Sequence, residues 1–282
     1  MNRKNLTAAV LAGLAGAAGL AGTAQAVNLN PDGLGQVLIY PYYTTNGGNQ
    51  TVLSVVNTTD QAKAVKVRFL EGFNSREVLD FNLYMSAEDV WTAAVFDGGD
   101  FFPDVPEVDG VPHLITFDNS CTVPYLYESG PQAFLPIAYI DNGTPEFNFE
   151  DGGPTTIARA SEGHFEMIEM GTLVGDSAID ATHQLTPAVK DKDGVETRPP
   201  TWEPFDCAQL TTNWTRTENF GPLGMWTCDV RHDACEENKI DIERNSGGLF
   251  GGAAIVNPDN GTMFSYNAAD IQDFDKSDVN LH

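Results

Sequence analysis

The chain has 282 residues, with 40 acidic residues against 15 basic ones and a formal net charge of −25. A field of that sign repels nucleic-acid phosphates and anionic headgroups, so nucleic acid and acidic membrane surfaces are excluded as partners. Apolar residues make up 41% of the chain, enough to build a core, which argues against wholesale disorder.

Residues 1–26 read as a cleaved secretory signal. Arg3 and Lys4 form a positive start, Leu6 to Ala21 is an apolar run, and Ala24-Gln25-Ala26 supplies small residues at the cleavage site. The rival reading is a membrane anchor, since the run approaches the roughly 20 residues that span a bilayer. Its Gly and Ala content makes it weakly hydrophobic, and the cleavage site follows directly, so cleavage is expected with Val27 as the new N-terminus. Cleavage leaves 13 basic residues against 40 acidic, a net of −27. No other segment is apolar for 18 residues, so no membrane span is expected afterwards. The expected location is secreted: periplasm, cell surface or extracellular space.

Strand signals then follow in close succession. Gly35–Thr44 is rich in β-branched and aromatic residues, and Thr51–Val56 is a second apolar run before the turn chemistry of Asn57-Thr58-Thr59-Asp60. Ala64–Leu70 alternates, with Val65, Val67 and Phe69 on one face and Lys66 and Arg68 on the other, as in a half-buried strand. Val78–Tyr84 and Val90–Phe96 continue the pattern. Ser86-Ala87-Glu88-Asp89 has the composition of a helix cap, but Val90-Trp91-Thr92 favours a strand after it. Strands at this spacing suggest an antiparallel sandwich. The expected division is an immunoglobulin-like β-sandwich over 27–115 and a second β-rich unit with long loops over 116–282.

Phe96–Pro112 is acidic and broken by Gly and Pro, as a loop is. Asp97, Asp100, Asp104, Glu107 and Asp109 lie in it with glycines between. Calcium takes several oxygen ligands on a flexible loop, so these five are the calcium candidates, although the spacing is not an EF-hand. A solvated acidic loop is the competing expectation. Residues 113–160 alternate short apolar runs with turn clusters, and Gly163–Val174 carries another strand. Residues 186–205 read as a long loop. Asp206 is placed to cap a short helix over Cys207–Trp214, with Leu210 and Trp214 on one face. Leu249–Val256, the turn Asn257-Pro258-Asp259-Asn260-Gly261 and Thr262–Tyr266 read as a hairpin. Its Val-Asn-turn layout echoes Val56-Asn57. The end at Asp278-Val279-Asn280-Leu281-His282 has no sorting motif, and the expectation is a chain truncated at its C-terminus.

Cys121, Cys207, Cys228 and Cys235 form an even set, and in an oxidising compartment two disulfides are expected. All three connectivities stay open; pairing Cys228 with Cys235 closes the shortest loop and leaves Cys121 with Cys207. His232 between Cys228 and Cys235 raises a metal reading, but the spacing matches no common structural zinc pattern. Glu166 and Glu169 invite a glycosidase reading, yet on a strand positions three apart face opposite ways. None of the histidines His113, His164, His183, His232 or His282 lies in a metalloprotease or nucleophile-elbow motif. Tyr40, Tyr42, Tyr43 and Trp91 offer a sugar platform, with core as the competing role. In a regular strand Tyr40 and Tyr42 share one face and Tyr43 takes the other.

Seven segments are similar to a family of secreted Gram-negative bacterial proteins, functionally uncharacterised and labelled cell-surface proteins. They are GQVLIYPYY (35–43), SVVN (54–57), VKVRFLEG (65–72), NSREVL (74–79), DVWT (89–92), EGHFEMIEMG (162–171) and GGLFGGAAIVN (247–257). The resemblance implies a surface location, a β-rich fold and a chain that continues past His282. It transfers no catalytic residue.

The expected function is therefore a non-catalytic secreted cell-surface or extracellular protein for structure or adhesion, such as a fibre or matrix subunit. It would self-associate or join other surface components. One version leaves Gly35–Thr44 as an unpaired edge that accepts a neighbour's strand. The runner-up is a glycan- or calcium-binding module, and a secreted hydrolase comes third.

Overall fold

The computed structural model describes residues 27–141, 143, 148–214, 242–243 and 246–274. The chain begins with β1 (Asn28–Leu29) and β2 (Val37–Thr44), then runs through β3 (Gln50–Asn57), β4 (Lys63–Glu71), β5 (Glu77–Met85) and β6 (Val90–Asp97). A one-turn helix α1 (Gly98–Phe101) precedes β7 (Pro112–Ile115), β8 (Cys121–Val123), β9 (Gln132–Ala133) and the long β10 (Glu162–Leu173). Next come α2 (Gly175–Ala181), β11 (His183–Thr186), β12 (Val189–Lys190), β13 (Glu196–Arg198), β14 (Thr201–Pro204) and α3 (Cys207–Trp214). Last are β15 (Ile242–Glu243), β16 (Leu249–Asn257), β17 (Thr262–Asn267) and β18 (Ala269–Gln272).

Two antiparallel sheets form one sandwich. The first has the order β1-β18-β2-β10-β4-β5-β8, with β15 beside the end of β10; the second has the order β17-β16-β3-β6-β7-β9. The chain passes from β17 in one sheet to β18 in the other across Ala268 alone, whose amide donates to Gly251 O. The core lies between the sheets. Val65, Val67 and Phe69 enter it, as their alternation predicts, while Lys66 and Arg68 stay at the surface. Phe165 stacks between Tyr40 (ring centroids 4.2 Å) and Phe69 (4.8 Å), which joins β2, β10 and β4. Gly251 is the residue that lets Tyr40 close over the second sheet. A Cβ there would run into Tyr40 Oη, which donates to Ser54 O at 2.7 Å.

The expected boundary near residue 115 is not one that the sheets follow. β10 lies between β2 and β4, and β16 lies between β17 and β3. Residues on both sides of 115 therefore complete the same two sheets, because β2 and β4 meet only through β10, and β16 covers the open side of β3. The fourteen strands in these sheets outnumber the seven to nine of an immunoglobulin domain. The long loop expected over 186–205 instead carries two short ladders, β11 with β14 and β12 with β13.

Gly35–Thr44 is also not an unpaired edge along its whole length. β2 is paired on one side by β18 through Val37–Ile39 and on the other by β10. Pro41 lacks an amide hydrogen, which ordinarily confines proline to an edge or a bulge. Here the ladder takes the bulge: Tyr40 sits opposite Phe165 and Tyr43 opposite Gly163, so three steps on β2 answer two on β10. The extra residue reverses the alternation. Tyr40 and Tyr43 both point into the core, and Tyr42 points out.

A second, smaller cluster lies outside the first sheet. Ala64, Tyr84, Met170 and Leu173 pack there against Ala181 of α2 and Leu210 of α3. Asp206 Oδ1 accepts the Gln209 amide at 2.8 Å, so the predicted cap is formed. The Cys121–Cys207 disulfide links β8 to α3 across 86 residues. Closing a loop of that size restricts the unfolded chain, so Cys121→Ser with Cys207→Ser is expected to lower stability by about 2–4 kcal/mol in urea unfolding. The expected signal segment and Cys228, His232 and Cys235 lie outside the described residues, as does the Trp214 side chain.

Candidate functional site

Asp97 closes β6 and caps α1. Its Oδ1 accepts the amides of Gly99 (2.8 Å) and Gly110 (2.9 Å), which folds the acidic loop back on itself. Asp97, Asp100 and Asp109 line one open depression of about 230 Å³ with the Thr45–Gly48 turn. The Asp100 carboxyl is raised above its usual pKa, first by burial, then by the charges of Asp97, Asp259 and Asp109. Asp259 comes from the β16–β17 turn, and the acidic loop alone carries no sign of it. The remaining calcium candidates, Asp104 and Glu107, are exposed on the loop and do not line the depression. Among the described residues, no three His, Cys, Asp or Glu side chains are grouped to hold a metal ion.

A second constellation was invisible in the sequence. The β5–β6 turn places Ser86 Oγ against Nδ1 of His183, which begins β11. His183 Nε2 lies 3.0 Å from Asn119 Oδ1, and Asp89 Oδ2 lies 3.3 Å from Ser86 Oγ. These are the residue types of a nucleophile–base pair. The geometry is that of a clamp. Ser86 is 6% exposed, its Oγ also accepts the His183 amide at 3.3 Å, and its own amide donates to Asp89 at 3.0 Å. These contacts hold the Ser86 hydroxyl in place and fasten β11 to the β5–β6 turn.

The paired-glutamate reading separates as strand geometry requires. Glu166 lies on the outer face with Arg68 (2.7 Å), and Glu169 is buried with Lys63 (2.6 Å). Tyr40, Tyr43 and Trp91 are core residues; Tyr42 reaches the surface and donates to Glu162 at 2.8 Å. His113 is buried beside Phe96 and Phe102 with Nδ1 at 2.8 Å from Val111 O.

The two outer sheet faces differ sharply in charge. The first sheet carries Lys66–Asp80, Arg68–Glu77 and Arg68–Glu166 ion pairs on its outer face. On the second, outward positions read across the strands as Phe250, Val56, Val90; as Asn267, Gly252, Ser54, Thr92; and as Ser265, Ala254, Val52, Ala94, Ile115. Met263, Val256 and Gln50 form the next row, and Phe96 and His113 follow Ala94 and Ile115 on the same face. Among these residues His113 alone is ionisable, and it is buried. Val52, Val90, Phe250 and Met263 are exposed there. Sequence alternation alone could have marked these positions as outward but not as one continuous face, because the face combines residues 50–56 and 90–94 with 250–265.

Among the described residues, no helix is long and apolar enough to cross a membrane. No family model, curated protein or solved structure matches the chain.

Proposed function

We propose that this is a non-catalytic secreted protein of the cell surface or extracellular space, a structural or adhesive component whose working surface is the outer face of the six-stranded sheet. The observation that carries the reading is the absence of Asp, Glu, Lys and Arg from the outward strand positions of that face, in a chain with 40 acidic residues. An acidic coat opposes random association with like-charged neighbours. A face without carboxylates is where a partner can be covered without stripping water from charged groups. The disulfide supports an oxidising compartment, and the low exposure of Ser86 supports a non-catalytic role.

The test is fractionation of the source cells followed by velocity sedimentation of the native protein, with a fluorophosphonate probe on the purified chain. Fast-sedimenting material in the surface or extracellular fraction, with Ser86 unlabelled, is expected. A free periplasmic monomer, or label on Ser86, overturns the reading. Repeating the run with a chelator reads out the acidic depression: dispersal on calcium removal assigns it to a bridging cation.

A further inference from the structure

Asp270 is a carboxylate turned inward. It lies in β18 directly opposite Leu38 of β2, a core residue, and opposite residues of an antiparallel ladder share a face. Its Oδ1 is buried with no hydrogen-bond partner among the described residues. Its charge acts on the Tyr40 phenol, as does Tyr266. Both phenols are engaged elsewhere: Tyr40 Oη donates to Ser54 O at 2.7 Å, and Tyr266 Oη donates to Tyr42 O. On β10, beyond β2, the inward side chains are Phe165 and Met167. The 30–36 loop brings Gly33 to the carboxylate, where a Cβ would lie 4.0 Å from Oδ2. The charges on the adjoining segments, Asp32 in that loop and Asp273 after β18, are negative too. β1, β2, β16, β17, β18 and the 30–36 loop contain no Lys, Arg or His. A buried acceptor left unpaired is costly, and an unpaired charge more so. Burial accordingly raises the Asp270 carboxyl above its ordinary 3.8.

We propose that Asp270 makes the β1–β18 edge a proton-sensitive latch: neutral, it lets this edge close on β2, and ionised, it loosens it. The penalty falls where little else holds the strands. β18 pairs with β2 over three residues, Ala269–Ile271 against Val37–Ile39, and β1 pairs with β18 over two. The Asn30 amide donates to Asp270 O and the Gln36 amide to Ile271 O, each at 2.8 Å, so the 30–36 segment hangs on the same strand. A ladder this short opens locally at a fraction of the free energy of global unfolding. Linkage sets the sign. An acid whose folded value is raised adds stability that is full below its unfolded value and is lost as pH rises through the folded one. The latch is therefore tighter at about pH 4 than at neutral pH, opposite in sign to the Glu71 and Asp151 carboxylates, which are held low. Opening bares one side of the Val37–Ile39 backbone, while β10 keeps the other.

The experiment is hydrogen exchange of the purified chain between about pH 4 and about pH 7, read as protection factors of the 28–30 and 269–272 amides. In the wild type, protection is expected to fall as pH rises. Asp270→Asn keeps the shape without the charge. It is expected to abolish the fall and to leave these amides at least about fivefold more protected at neutral pH, the lower end of what an unpaired buried acceptor costs. Asp32→Asn, at an exposed carboxylate of the neighbouring loop, is expected to behave as the wild type. Carbon-13 NMR of the wild-type carboxyls reads the same group without a variant: Asp270 should titrate above the aspartates of the unfolded chain. Wild-type protection that does not change with pH overturns the proposal, as does the same fall in Asp270→Asn. So does an Asp270 carboxyl that titrates at or below its unfolded value. Loss of the fall in Asp32→Asn would assign it to the general negative charge and overturn the latch as well.

Discussion

Replacing Arg159 with methionine is expected to cost about 3–5 kcal/mol of folding stability, because it strands two carboxylates in the protein interior. The Arg159 side chain is 1% exposed, Glu71 is fully buried and Asp151 nearly so. The guanidinium contacts both Glu71 oxygens (2.8 and 2.9 Å) and donates to Asp151 Oδ1 (2.8 Å) and Oδ2 (2.6 Å). Its faces lie against Tyr139 (4.3 Å) and Phe73 (4.9 Å). Lysine cannot reproduce this planar fork, so Arg159→Lys is expected to recover little.

The same site sets an acid limit. Burial pushes the Glu71 carboxyl up, but Arg159 and the amides of Arg76, Phe73 and Asn74 outweigh it and hold the pKa at about 2 against the usual 4.5. Arg159 likewise holds Asp151 well below the carboxylate range. A depressed acid adds stability that is full above its unfolded pKa and disappears as pH falls through its folded value. Wild-type stability in urea should therefore decline from about pH 4.5 towards pH 2. Arg159→Met should flatten that decline. An unchanged slope in the variant would mean that other carboxylates set the acid limit.

Lys63→Met is the second large effect, also expected at about 3–5 kcal/mol. Lys63 and Glu169 are both fully buried, and Nζ lies 2.6 Å from Glu169 Oε1. The ammonium also contacts Ser246 Oγ and Thr172 Oγ1. Glu169 accepts the amides of Ser246 (3.0 Å) and Gly247 (2.8 Å), which anchors the entry to β16. Removing the lysine leaves an uncompensated buried carboxylate. Lys63→Met with Glu169→Gln removes both charges while an amide oxygen still accepts a backbone N–H. The double variant should thus recover more than half of the loss, since a buried pair often stabilises little over a neutral replacement. A double variant as unstable as the single would instead assign the cost to side-chain packing around Lys63.

Much of the strand framework was legible in the sequence because its signals are local. Period-two alternation placed Val65, Val67 and Phe69 inside, and turn chemistry marked the β16–β17 hairpin. The Asp206 cap, too, needed only its own neighbours. The Val-Asn echo proved to be a shared turn function and not a repeat. Asn57 Oδ1 accepts the Thr59 amide, and Asn257 Oδ1 accepts the Asn260 amide, at opposite ends of two strands in one sheet.

What the sequence by itself determined, then, is the all-β class, the approximate strands and the acidic character of the surface, each of which depends on residues a few positions apart. Only the tertiary structure decided which strands are neighbours. It inserted β10 beside β2, turned Tyr43 inward through the Pro41 bulge, and brought Ser86 to His183 and Arg159 to Glu71. The physical reason is that loop-closure entropy rises only slowly with separation, so many pairings of similar apolar strands cost nearly the same to close. The choice among them falls to side-chain packing and to buried charges that must meet their partners.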